Sequence, residues 1–144
     1  MTSSRFAVAT HILTLLALKG AEPLTSEVIA ESVNTNPVVI RRTMAGLREA
    51  HLVVSQPGAG GGWRLVGAPE EITLAAVFQA VEPEDLLALP TKSPNISCPV
   101  GRTICQTLGG VFHDAEAAMT ARLACVTIAD VLRDSVPSAT LNRR

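Results

Sequence analysis

A chain of 144 residues with 47% hydrophobic content is about one domain long and can bury a core without disulfide or metal staples. With no Tyr, one Trp and three Phe, that core must come from Ala, Val, Leu and Ile, which favours packed helices. The formal charge of −1 hides a division: residues 1–66 carry +2 and the remainder −3, so a basic face that could meet a polyanion belongs to the N-terminal half. No segment approaches the roughly 18 uninterrupted apolar residues of a membrane span. The early apolar run at 6–18 has a single preceding Arg and no convincing cleavage site, unlike a signal peptide. The expectation is a cytoplasmic protein with no membrane partner, its three cysteines reduced thiols.

In chain order, Phe6, Ala9, Leu13, Leu16 and Leu18 fall near helical spacing and predict a first helix over 4–19, capped by Ser3 or Ser4 and ended by Gly20. Thr25 caps a second helix, with Glu27 in its first turn where the helix dipole favours an acid. Asn36-Pro37 starts a third, whose Ile40, Met44 and Leu47 face inward. Two short helices joined by a three- to four-residue polar turn match the helix-turn-helix pattern. In that pattern the second helix enters a major groove. Burial of Ile40, Met44 and Leu47 leaves Val38, Val39, Arg41 and Arg42 at the exposed face. A Val can meet a thymine methyl, and an Arg can grip a guanine edge or a phosphate. Arg41 and Arg42 are adjacent, so they cannot point at the same base.

Two β-prone runs follow on either side of Pro57-Gly-Ala-Gly-Gly-Gly62 and read as a hairpin, the wing of a winged helix. The glycines do not form a phosphate loop: the spacing is not G-x-G-x-x-G, no Lys-Ser/Thr follows, and no helix begins there. Ile72-Thr-Leu opens a fourth helix carrying Leu74, Val77, Phe78 and Val81, with Glu82-Pro83 closing it. A long helix from Pro99 to about Leu123 carries Ile104, Leu108, Phe112, Ala115 and Met119 in one stripe. An apolar face of that length needs a partner, most simply the same helix of a second subunit. Thr127-x-x-Asp130 caps a last helix through about Ser135.

The order Ser4-Arg5-Phe6-Ala7, Ile29-Ala30-Glu31, Gly61-Gly62-Trp63-Arg64-Leu65, Ile72-Thr73-Leu74 with Ala80-Val81-Glu82, and Cys98-Pro99-Val100-Gly101 resembles the Rrf-two superfamily of transcriptional regulators, over nearly the whole chain. The resemblance includes iron–sulfur-cluster, nitric-oxide and cysteine-metabolism regulators. It implies a homodimer whose winged helices read a palindromic operator while the long helices cross at the two-fold axis. It also implies DNA contacts from Ser3 and Arg5, from the start of the recognition helix at Thr35, and from the wing at Gly60. Many members have an Arg early in the wing where Pro57 stands here, and Arg64 offers a phosphate contact in its place. His51 stands where members usually have the Gly that ends the recognition helix.

The cysteines decide the sensor question. Cluster-binding members hold three closely spaced Cys near the start of the long helix; here only Cys98 and Cys105 lie in that region and Cys125 follows twenty residues later. That spacing disfavours an iron–sulfur cluster, so the expected cofactor is none and the expected metal ligands are none. Cys98, at the expected start of the long helix, would have a lowered thiol pKa and is the candidate redox sensor with Cys105. Cys105 lies about 10 Å further along if both residues are helical, beyond an intrachain disulfide. Packing alone is the other account of all three.

The expected fold is mainly α with a small β-hairpin, a winged helix-turn-helix plus a long dimerisation helix. The divisions are 1–82 for DNA binding, 83–98 as a connecting loop, 99–136 for dimerisation and the C-terminal helix, and 137–144 as a flexible tail. The partners are double-stranded DNA, a second copy, and a small-molecule or oxidant signal; the expected action is that of a repressor. The rivals are a winged helix that binds protein rather than DNA, kept open by the weak net charge and Pro57, and an iron–sulfur-cluster-sensing regulator. No enzymatic constellation of His, acid and nucleophile is present in the pattern.

Overall fold

The protein, described from a computed structural model over residues 4–82 and 86–138, is six α-helices and one two-stranded hairpin. Ser3, Pro83 and the end of the expected tail lie outside the described residues. The order is α1 (Arg5–Lys19), α2 (Ser26–Val33), α3 (Pro37–Glu49), β1 (Val53–Gln56), β2 (Gly62–Leu65), a 3-10 turn (Pro69–Glu71), α4 (Leu74–Val81), α5 (Ile104–Ala124) and α6 (Ile128–Ser135).

Local chemistry sets most boundaries. Thr25, Thr73 and Thr127 each accept a backbone N–H at the start of α2, α4 and α6, from Val28, Ala76 and Asp130. Asn36 does the same for Val38, with Pro37 in the first turn of α3 where its missing N–H costs nothing. At the head of α6 the box is reciprocal, because the Asp130 carboxylate also accepts the Thr127 N–H at 2.9 Å. Ser4 precedes α1 without making a side-chain cap, and Ser3, the other expected candidate, lies outside the described residues.

The core gathers one side of each early helix. Ile12 and Leu13 of α1, Ile29 of α2, and Ile40, Met44 and Leu47 of α3 have no solvent exposure. Each buried side chain of this size contributes roughly 1.5–3 kcal/mol. Phe6 and Phe78 meet edge to face with ring centroids 5.3 Å apart and tie α1 to α4.

The C-terminal segment shares this core. Ile128 is fully buried in the same cluster, α6 packs against α1, and the two segments pair: Ile128 donates its N–H to Ile72, Leu74 donates its N–H to Val126, and Thr73 and Thr127 form an isolated antiparallel bridge. The polypeptide leaves the N-terminal half only to run through the 86–103 segment and α5, and then returns to it.

One expectation changes. The long helix begins at Ile104, not Pro99; residues 96–103 form a succession of turns. The Asn95 side chain accepts the Ser97 N–H at 2.9 Å, and the chain doubles back so tightly that a Cβ on Gly101 would lie 2.4 Å from the Asn95 carbonyl oxygen. A 3-10 turn over Pro69–Glu71 precedes α4, where the sequence pattern carries no signal for one.

Candidate nucleic-acid interface

The geometry of α3 separates its faces. Its buried stripe points into the core, while Val38 and Val39 are exposed, as are Arg41 and Arg42. At about 100° per residue, Arg42 stands nearly opposite Ile40 and Arg41 stands on the flank facing α2. On that flank the Arg41 guanidinium donates to a Glu27 carboxylate oxygen at 2.9 Å. The two arginines thus diverge as their adjacency required. Thr35, half-buried in the turn between α2 and α3, donates its N–H to the Ala30 carbonyl at 3.0 Å.

The wing is fastened to the helix-turn-helix by Trp63. β1 and β2 pair antiparallel from Val53 opposite Leu65 to Gln56 opposite Gly62. The outer edge of β2 pairs again, with Leu24 just before α2: Trp63 donates its N–H to the Leu24 carbonyl at 2.7 Å and accepts from Leu24 at 3.0 Å. The approach is so close that a Cβ on Gly62 would lie 2.5 Å from the Leu24 oxygen, and the Gly62 φ of 147° suits only glycine. The Trp63 indole N–H reaches the Ser26 hydroxyl at 3.4 Å, and the Arg48 guanidinium of α3 lies 5.8 Å above the ring. One side chain therefore links the wing to the start of α2 and the end of α3. Nothing in the sequence alone signalled the Leu24 pairing or the stacking of Arg48.

The remaining candidate DNA contacts are placed unevenly. Gly60 is exposed at the tip of the hairpin loop. Arg5 is exposed at the head of α1 and forms an ion pair with Glu82 at 3.1 Å. Arg64 is half-buried beside the end of α1, lining a groove with Leu16, Ala17, Gly20 and Gly67, and its Nε is buried with no hydrogen-bond partner among the described residues. His51, at the exit of α3, has a φ of 59°, the left-handed conformation in which a glycine would be relaxed.

α5 is the exception to the packing. None of its 21 residues is buried. Ile104, Leu108, Phe112 and Met119 are half-buried, and the chief contact of α5 within the chain is with α4. Ala115, of the same expected stripe, is exposed, together with neighbouring Ala118 and with Val111 at 58% exposure. The apolar band is wider than the chain's own α4 covers.

The three thiols do not converge within one chain. Cys98 is exposed in the turns before α5, Cys105 is half-buried in its first turn, and Cys125 is exposed at its far end, about 30 Å away along the axis at roughly 1.5 Å per residue. Among the described residues no group of three or more His, Cys, Asp or Glu is placed to hold a metal ion. The arrangement does not fit a cluster held by one protomer's cysteines. Cys98 is not at the head of the long helix, so the premise of a helical spacing to Cys105 fails. Its thiol is nevertheless held below the ordinary value, because the N–H groups of Gly101 and then Val100 in the tight turn stabilise the thiolate.

Comparison with known proteins agrees with this architecture. Residues 2–134 match the family described as Rrf2, iron-dependent transcriptional regulator. The HTH-type transcriptional regulator YwnA of Bacillus subtilis is 40% identical over 132 residues, 92% of this chain and 97% of that protein. Among solved structures, that of a DNA binding protein is 40% identical with a TM-score of 0.74, covering 90% of this chain and 100% of the other. The IscR of T. potens, at 23% identity, shares the fold with a TM-score of 0.71 over 94% of this chain and 88% of its own. No helix among the described residues is long and apolar enough to cross a membrane.

Proposed function

Because the chain belongs to the Rrf2 family of transcriptional regulators, whose members matched here are regulators and not enzymes, we propose that it acts in the cytoplasm as a homodimeric repressor of a palindromic operator, with an oxidant as its signal and no resident cluster. The observation that carries this reading is the exposed face of α3, with Val38, Val39, Arg41 and Arg42 uncovered beside a wing held to the same unit by Trp63. Exposed Arg5 at the head of α1 and exposed Gly60 at the wing tip are proposed to add contacts to the phosphate backbone, with Ser3 outside the described residues. The uncovered Val111, Ala115 and Ala118 beside half-buried Leu108, Phe112 and Met119 support a second copy on α5. The accessible, acidified Cys98 in the segment joining α4 to α5 supports the oxidant signal, since a bond or adduct there alters the link between reading head and dimer helix.

The test is binding of the purified protein to a duplex from upstream of its own coding sequence, followed over a range of salt. Several phosphate contacts per dimer predict a log–log slope on the order of −4 to −8. Binding that ignores salt, or none to any such duplex, contradicts the reading. A mild oxidant should weaken binding of the parent and not of Cys98→Ser; equal sensitivity of both removes the sensor part and leaves DNA binding standing.

A further inference from the structure

We infer that Glu27 is a specificity-determining residue of the DNA interface, acting as a positioning residue that holds Arg41 away from indiscriminate phosphate contact. The inference rests on the proposed DNA-binding reading and deepens it. Glu27 is in the first turn of α2, and its carboxylate accepts from Arg41 of α3 at 2.9 Å. Both side chains are largely exposed, Arg41 at 57% and Glu27 at 66%. An ion pair so open to water contributes little to folding. Its effect is on where the arginine points.

The chemistry of the face gives the pair a consequence. Arg42 has no ion pair among the described residues and stands opposite the buried stripe, so it is available to any duplex. Arg41 is already engaged. To reach a phosphate it must leave Glu27, and the bare carboxylate then faces the polyanion as a like charge. That penalty applies on every sequence. It is offset only where Arg41 gains a bidentate contact with a guanine edge, an interaction a scrambled duplex does not offer in register. Glu27 therefore weakens binding to non-cognate DNA more than binding to the operator, which widens the ratio between them.

The experiment measures binding by fluorescence anisotropy to two duplexes of equal length and base composition, one from upstream of the protein's own coding sequence and one scrambled. The proteins are the full chain, Glu27→Gln, Arg41→Gln and the double variant, each checked for an unchanged helical spectrum. Glu27→Gln should bind the scrambled duplex about three- to tenfold more tightly, with a salt slope steeper by about one, while affinity for the upstream duplex rises less. In the Arg41→Gln background the same substitution should change the ratio by less than about twofold. An equal gain on both duplexes, or an effect that persists in full without Arg41, overturns the inference, because Glu27 would then act only as a nearby negative charge. A parent chain that binds neither duplex overturns the DNA-binding reading and the inference with it.

Discussion

α3 and α5 are both amphipathic stretches of a small protein, yet they are finished to different degrees. α3 buries Ile40, Met44 and Leu47 completely over 13 residues, while α5 buries nothing over 21. The sequence patterns look alike, since each carries apolar residues at helical spacing. The difference is that α3 is surrounded by α1, α2, α4 and β1, whereas among the described helices and strands α5 packs chiefly on α4. A stripe of apolar residues thus says that a face will be covered, and only the neighbours say whether the chain covers it itself.

Breaking the finished side should produce the largest effect. Met44→Ala is expected to destabilise the fold by roughly 2–5 kcal/mol, because the cavity it leaves is enclosed on all sides; denaturant unfolding measures it, and a loss below about 1 kcal/mol would mean that the core collapses around the gap. On α5 the matching substitution should act on assembly instead. Ala115→Glu places a charge on the exposed band, so sedimentation should show a monomer whose unfolding is within about 0.5 kcal/mol of the parent monomer's. Phe112→Glu and Met119→Glu are less clean probes, because both side chains are half-buried within their own chain. An intact dimer for Ala115→Glu would place the second copy elsewhere.

The point where the chain returns from α5 to the core offers a middle-sized test. Thr127→Ala removes one half of the capping box and should cost about 0.5–2 kcal/mol. The Asp130 carboxyl is held below its ordinary value by the Thr127 backbone N–H, then by the Thr127 hydroxyl and by Arg133. A depressed carboxylate stabilises the fold above its unfolded pKa, and that contribution is lost as the pH falls through the folded value. Acid titration of stability should therefore be shallower below about pH 4 for Asp130→Asn than for the parent. Identical acid limbs would deny the box a part in docking α6.

Caps and stripes made most of this fold legible in the sequence. Thr25, Asn36-Pro37 and Thr127-x-x-Asp130 are local signals, and each begins its helix where expected. The hairpin was also readable, because glycines between two β-prone runs leave few alternatives. The start of α5 is not legible in the sequence, since Pro99 is as compatible with a turn as with a first helical residue, and what decides is the contact of Gly101 with Asn95, six residues earlier. In the candidate interface, the exposed Val38, Val39 and paired arginines followed from helical geometry. The Glu27–Arg41 pair, the Leu24 edge and the seat of Arg64 did not, because they join residues 14 to 48 positions apart and depend on the angle between elements.

The smallest expected change lies at the exit of α3. His51 holds a left-handed backbone that an L side chain adopts at a cost of about 1–2 kcal/mol, so His51→Gly should raise stability by about 1 kcal/mol and leave DNA affinity unchanged. A destabilised variant would show that the imidazole makes a contact worth more than the strain.

Trp63 has a further consequence of an optical kind. It is the only tryptophan, and the chain has no tyrosine to compete with it, so nearly all near-ultraviolet emission comes from one indole. That indole is half-buried, bonded to Ser26 and lies beneath the Arg48 guanidinium, where the wing, α2 and α3 meet. Any rotation of the hairpin against the helices must change its polarity and its distance from that cation. The molecule therefore carries a built-in, label-free gauge of wing position, and its emission maximum recorded with and without duplex would report whether the reading head closes on DNA or meets it already set.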